Sequence, residues 1–190
     1  MKSYHLSRRG LVPSAPAARE RLQQAGGRFV EEYECHDVIL LSADSSSGAN
    51  GDSIRIRSYP RGSGKPWVVT QKTARFEHGV KADHLVFSFE CRTESDLQHK
   101  LAEFERTGYQ RGYAFSRTGW QYDFTDAAAF VELVEFLEPS VEICAGTEAA
   151  LSQIASKIGL DRFIGCSLAE YVKQVLVQSG PRPSTSVAGD

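Results

Sequence analysis

The sequence has no long hydrophobic run. Its longest apolar stretches are short, as in "DVILL" and "AAAFVELVEFL", and none approaches the roughly 20 residues a helix needs to cross a bilayer. The amino-terminal "MKSYHLSRRG" carries no apolar h-region, so no signal peptide is read there and a cytoplasmic location is expected. An excess of charge of either sign is also missing. A net charge of −2 gives no global basic field for nucleic acid, so any anion site must be a local concentration of arginine and lysine. The four cysteines, Cys35, Cys91, Cys144 and Cys166, show no C-x-x-C spacing. That argues against a zinc site or a redox pair and leaves buried free thiols in a reducing compartment as the expectation. Neither a G-x-x-x-x-G-K-[ST] loop nor a nucleophile elbow is found, so a P-loop nucleotidase and a serine hydrolase are not indicated.

What is present is an ordinary globular composition over 190 residues, 41% hydrophobic and 24% charged, enough for one domain with a full core. "SYHLSRR" alternates weakly as an opening strand. "VPSAPAARERLQQAGG" reads as a helix, with Ser14 as cap and glycines after its end. "RFVEEYECHDVILL" is rich in strand formers, and "SADSSSGANGD" reads as a mobile loop. "SIRIRSY" and "KPWVVTQKT" form a strand pair, and "HLVFSFECR" alternates as another strand. "TESDLQHKLAEFERTGY" is a helix capped by Thr93, with Leu97, Leu101 and Phe104 as its inner stripe. "YAFSRTGWQYDF", "AFVELVEFL" and "SVEIC" add three strands, and "TEAALSQIASKIG" and "CSLAEYVKQVL" close the domain as helices. The expected organisation is a single domain over residues 1–178, with a disordered tail over 179–190. The fold class is α+β: a mostly antiparallel eight-stranded sheet, closing into a barrel, with helices packed outside.

Charge falls on one face of many of these strands. Strand side chains alternate between two faces, so Arg55 and Arg57 share one face while Ile54 and Ile56 share the other. Val68, Thr70 and Lys72 lie together, as do His84, Val86, Ser88 and Glu90. Two explanations stay open: a sheet with one solvated face, or a closed barrel whose polar lumen holds basic residues beside carboxylates. Such a lumen suits a polyanion, because guanidinium and ammonium groups grip phosphate oxygens and carboxylates hold a bridging divalent metal.

The order of these features resembles the CYTH family of triphosphate tunnel enzymes, which includes class IV adenylate cyclases and thiamine triphosphatases. "SIRIR" looks like the family's L-R-I-R strand and "VVTQK" like its L-T-x-K strand. "CHDVI" falls where class IV cyclases have Q-x-D-x-Y, with Asp37 in register. "SFEC" sits at an E-x-E pair, with Glu90 as its second member. "SRTGWQY" resembles K-x-R-x-x-Y, with Arg117 at the lysine and Tyr122 at the tyrosine. "VELVEFLEPSVEIC" resembles D-x-V-x-x-L-G-x-F-x-E-I-E, with Glu132 at the aspartate and Glu142 at the first glutamate.

The resemblance implies that Arg8, Arg55, Arg57, Lys72 and Arg117 bind phosphate, that Glu90, Glu132 and Glu142 hold Mg²⁺ or Mn²⁺, and that Asp37 and Arg117 serve catalysis. It implies a metal-assisted phosphohydrolase or adenylate cyclase acting on a triphosphate or nucleotide-type molecule. The implied partner is a phosphorylated small molecule, with no nucleic acid and no membrane, and a homodimer is an allowed assembly. The sequence also departs from the family pattern. Where the family opens with E-x-E-x-K, "YHLSR" aligns Tyr4 and Leu6 with the acids and Arg8 with the lysine. Ser88 replaces a glutamate, Gly119 a basic residue, and Cys144 the last glutamate. These losses support an alternative: a tunnel that binds a phosphorylated or other anionic ligand without the family's phosphoryl chemistry, as a sensor or a repurposed enzyme. Read from the residues alone, Glu90 could equally be an ion-pair partner, His36 a surface residue, and Trp120 and Tyr122 core.

Overall fold

The computed structural model describes residues 4–43, 53–60, 62–77 and 79–178. Nine strands and four helices follow in the order β1 Leu6–Leu11, α1 Ala15–Gln24, β2 Arg28–Ser42, β3 Ser53–Ser58, β4 Trp67–Glu77, β5 Val80–Cys91, α2 Glu94–Arg106, β6 Tyr109–Asp123, β7 Ala127–Val134, β8 Ser140–Ala145, α3 Glu148–Ile158, β9 Arg162–Ile164 and α4 Leu168–Gln178. The serine-rich loop over 44–52 and the tail over 179–190 lie outside the described residues. The helix boundaries follow their side chains. Thr93 and Asp96 form a reciprocal capping box at the start of α2, and Gly159, at φ 66°, ends α3 in the left-handed conformation a side chain would resist.

Every pair of neighbouring strands is antiparallel, in the order β5-β4-β3-β2-β6-β7-β8-β1. A further pairing of β1 with β5, Leu6 opposite Ala82 and Ser7 opposite Lys81, closes the eight strands into a barrel. This is the expected α+β barrel. The short β9, which no sequence pattern announces, adds to β1 at Arg9–Leu11.

The hydrophobic faces point outward, under helices. Leu22 of α1 and Leu151, Ile154 and Ile158 of α3 pack on Tyr122, Val131, Val141 and Ile143. Leu97, Leu101 and Phe104 of α2 cover Ile54, Ile56 and Val69. Each fully buried side chain of this size stabilises the fold by about 1.5–3 kcal/mol. The fourth helix does something different. Leu168 and Val172 of α4 pack on Ile39, Phe115 and Val134, which share the inner register of Asp37 and Arg117. Tyr113 Oη donates to the Ala169 carbonyl at 2.7 Å. One end of the lumen is thus closed by an apolar plug.

Candidate ligand-binding tunnel

Period-two alternation places Cys35 and Asp37 of β2, Arg55 and Arg57 of β3, and Arg117 of β6 on the inner face. Glu132 of β7, Glu142 of β8, Ser7 and Arg9 of β1, and Lys81 and Asp83 of β5 join them from the other side. Burial makes these charges seek one another, because an isolated ion out of water is costly. Arg57 grips Asp37 with two bonds, Nε to Oδ1 at 2.8 Å and Nη2 to Oδ2 at 3.0 Å. Arg117 donates Nη2 to Asp37 at 3.2 Å and Nη1 to Glu132 Oε1. Arg9 forks between two carboxylates, Nη1 to Glu132 Oε2 at 2.6 Å and Nη2 to Glu142 Oε2 at 2.5 Å. Lys81 lies 3.6 Å from Glu142 Oε1 and 3.0 Å from Asp83, which Lys72 meets at 3.4 Å. Arg57, Asp37, Arg117, Glu132, Arg9, Glu142, Lys81, Asp83 and Lys72 therefore form one alternating chain of charge. A cavity of about 340 Å³ opens beside it, and both chain ends, Arg57 and Lys72, line it.

The protonation states follow from this chain. Burial alone would raise the Glu132 carboxyl, but Arg117 and then Arg9 outweigh it and hold it below the usual carboxylate range. At Glu142, burial is likewise outweighed by Arg9 and Lys81. Burial, and then Glu132, push the Tyr33 phenol up, so it stays protonated and donates to Glu132 Oε1 at 2.7 Å. Burial pushes the Cys144 thiol up as well. Arg55 shares the inner face through its pairing with Ile39 and Thr70, and its buried Nε finds no hydrogen-bond partner.

No protein-family model matches the sequence, and no curated protein is similar to it in sequence. Solved structures are similar in shape. A Pyrococcus horikoshii protein, PH1819, superposes with a TM-score of 0.71 at 16% identity, covering 91% of this chain and 100% of that one. A Hippeastrum protein named as an adenylyl cyclase candidate, with a dominant triphosphatase activity, gives 0.68 at 16% identity over 90% and 96% of the two chains. A Vibrio parahaemolyticus protein named as an adenylate cyclase candidate gives 0.66 at 11% identity over 90% and 99%. The chain has the CYTH tunnel fold.

Within this CYTH-like tunnel, the structure moves Arg8 off the inner face and leaves Glu90, in register with Val68 and Arg57, on that face but in solvent. On β1, Ser7 and Arg9 face the lumen. Arg8 lies on the other face, its guanidinium 4.9 Å from the Phe163 ring centroid. Arg9, not Arg8, is the basic residue of this strand inside the tunnel, and the pairing of Arg9 with Glu142 fixes that register. Glu90 is just over half exposed and lies 3.8 Å from Arg92, outside the buried chain. The other expected residues, Asp37, Arg55, Arg57, Lys72, Arg117, Glu132 and Glu142, share the tunnel. His36 is exposed beside Ser116, whereas Trp120 and Tyr122 lie in the outer core.

Besides Arg9, three tunnel residues lie outside the sequence expectation. Lys81 and Asp83 enter because the β4–β5 register skips Val86, a bulge that reverses the alternation of β5. Tyr33 enters over Gly119: a Cβ added at Gly119 would lie 2.3 Å from Tyr33 Cζ and 2.4 Å from its oxygen. The glycine standing at the family's basic position is the space the phenol occupies. Gly119→Ala is expected to lower stability by about 1–3 kcal/mol in urea unfolding. Its added cost should be smaller in a Tyr33→Ala background, since the two sites share one volume.

The fold family's metal does not fit this donor set. Mg²⁺ needs carboxylate oxygens free to enter an octahedral shell. Both oxygens of Glu132 and both of Glu142 face cationic or phenolic donors. Glu90 lies apart, and among the described residues no three His, Cys, Asp or Glu side chains converge as a metal site.

Proposed function

We propose that the protein binds a phosphorylated small molecule in the tunnel and does so without metal-assisted phosphoryl transfer. The observation that carries this reading is the alternating chain itself. It begins and ends on cations that line the cavity, while every oxygen of the two glutamates at its centre is already engaged. Arg57 and Lys72, which line the cavity, would neutralise phosphate charge. Arg117 and Asp37 would hold Arg57 in a fixed orientation, acting as positioning groups rather than as base or nucleophile.

Isothermal titration with ATP, pyrophosphate and a phosphate monoester in EDTA should show binding to at least one of them. With Mg²⁺ or Mn²⁺, phosphate release and cyclic nucleotide formation from ATP and tripolyphosphate should stay at the blank rate. The contrary reading is a Mg²⁺-dependent triphosphatase or cyclase, and the names of the Hippeastrum and Vibrio proteins favour it. Turnover that requires metal and disappears in Glu142→Gln would establish that reading in place of ours.

A further inference from the structure

The charge on the tunnel wall also bears on which phosphorylated molecule fits. Inside the barrel, Arg9, Arg55, Arg57, Lys72, Lys81 and Arg117 face Asp37, Asp83, Glu132 and Glu142. Six cations against four carboxylates leave two positive charges, because Lys65 and Glu31, which also line the cavity, pair with each other at 3.2 Å. These are located rather than spread evenly. Interior cations of the chain have a carboxylate on each side, whereas the terminal Arg57 and Lys72 have one neighbour each, and among the described residues Arg55 makes no ion pair. A tripolyphosphate carries about twice as much negative charge as this wall can neutralise, and a compensating divalent cation would find both glutamates engaged and, among the described residues of the wall, only Oδ1 of Asp83 without a cationic partner. The space points the same way. The cavity is near the lower limit for a small-molecule pocket, about 300–1,000 Å³, and α4 seals the far end, so a long chain cannot thread through.

We infer that the tunnel selects a compact oxyanion of one to two negative charges, of the phosphate-monoester class, seated without metal between Arg57 and Lys72. This inference rests on the tunnel being an anion site. A ligand of that charge completes the alternation by joining the two cationic ends of the chain. A longer polyphosphate would place surplus negative charge against Glu142 and Asp83 instead. Phosphate selection here is therefore a matter of matching charge, with Arg57 as a two-bond fork and Lys72 as a movable point charge at the mouth.

The test is titration calorimetry at neutral pH with inorganic phosphate, phenyl phosphate, pyrophosphate and tripolyphosphate, each in EDTA and again with Mg²⁺. Phenyl phosphate should bind at least about tenfold more tightly than tripolyphosphate, a difference of about 1.4 kcal/mol, and more tightly than pyrophosphate, and Mg²⁺ should not strengthen it. Lys72 is nearly half exposed, so Lys72→Gln should fold normally and weaken phenyl phosphate by about tenfold. Pyrophosphate or tripolyphosphate binding tightest, a requirement for Mg²⁺, or unchanged binding in Lys72→Gln would overturn the selection while leaving anion binding standing. Binding of none of the four anions, with or without Mg²⁺, would remove the proposed function itself.

Discussion

Glu132→Gln is expected to lose about 3–5 kcal/mol of stability, the magnitude seen when one partner of a buried ion pair is removed. Glu132 is 3% exposed and serves Arg9, Arg117 and Tyr33 at once. The glutamine keeps the shape but turns an amide N–H₂ toward guanidinium donors and removes the charge that compensates them. Urea unfolding in EDTA reads the difference. A glutamate whose task was to hold Mg²⁺ would behave differently: its replacement would spare the metal-free protein and abolish only metal-dependent turnover. Wild-type stability for Glu132→Gln in EDTA would therefore contradict the structural role assigned here.

The same network sets the acid limb of stability. Glu132 and Glu142 are both held below their unfolded range. The unfolded chain thus binds more protons than the native one at low pH, and stability must rise with pH through the unfolded value near about 4.3. The contribution is fully present above that value and is lost as pH falls toward the depressed folded values. Asp37, which burial pushes up against the pull of Arg117 and Arg55, works in the opposite direction. The steep loss below about pH 4 is therefore assigned to the two glutamates, and Glu132→Gln should flatten it.

How far this site could be read from the sequence depended on whether alternation was unbroken. "SIRIR" is a clean two-residue repeat, so Arg55 and Arg57 fell on the inner face and the isoleucines under α2 as expected. The eight barrel strands and the outer helices were legible for the same reason. The first strand was not, because "HLSRR" has a polar residue in both registers. Arg8 and Arg9 compete for one role, and only the pairing with β8 separates them. Lys81 and Asp83 were hidden by a bulge that no composition signals. Tyr33 carried its signal at a distance, in the glycine at position 119 on a neighbouring strand. The plug by α4 was legible as an amphipathic helix, but not as a lid on polar strands, since an apolar stripe does not name its partner.

Arg9→Gln should then show what the arginine stands in for. At neutral pH the variant is expected to lose about 3–5 kcal/mol, because Glu132 and Glu142 are left buried and facing each other with less compensation. Its pH dependence should run the other way from the wild type. Without Arg9 the two carboxyls move upward, so protonating them relieves the repulsion and the deficit shrinks as pH falls. The variant also frees one oxygen on each glutamate toward the position the guanidinium held, which is the arrangement a divalent cation can bridge. Mn²⁺ should therefore raise the unfolding midpoint of Arg9→Gln and leave the wild type unchanged. At a concentration of 100 times the dissociation constant, the gain is about 2.7 kcal/mol. Equal stabilisation of both proteins by Mn²⁺ would mean that the cation binds elsewhere and that Arg9 only pairs charges. Selective stabilisation of the variant would mean that a single side chain holds the ground a metal would otherwise take, which would account for a CYTH-like tunnel that keeps its acidic residues without a metal site.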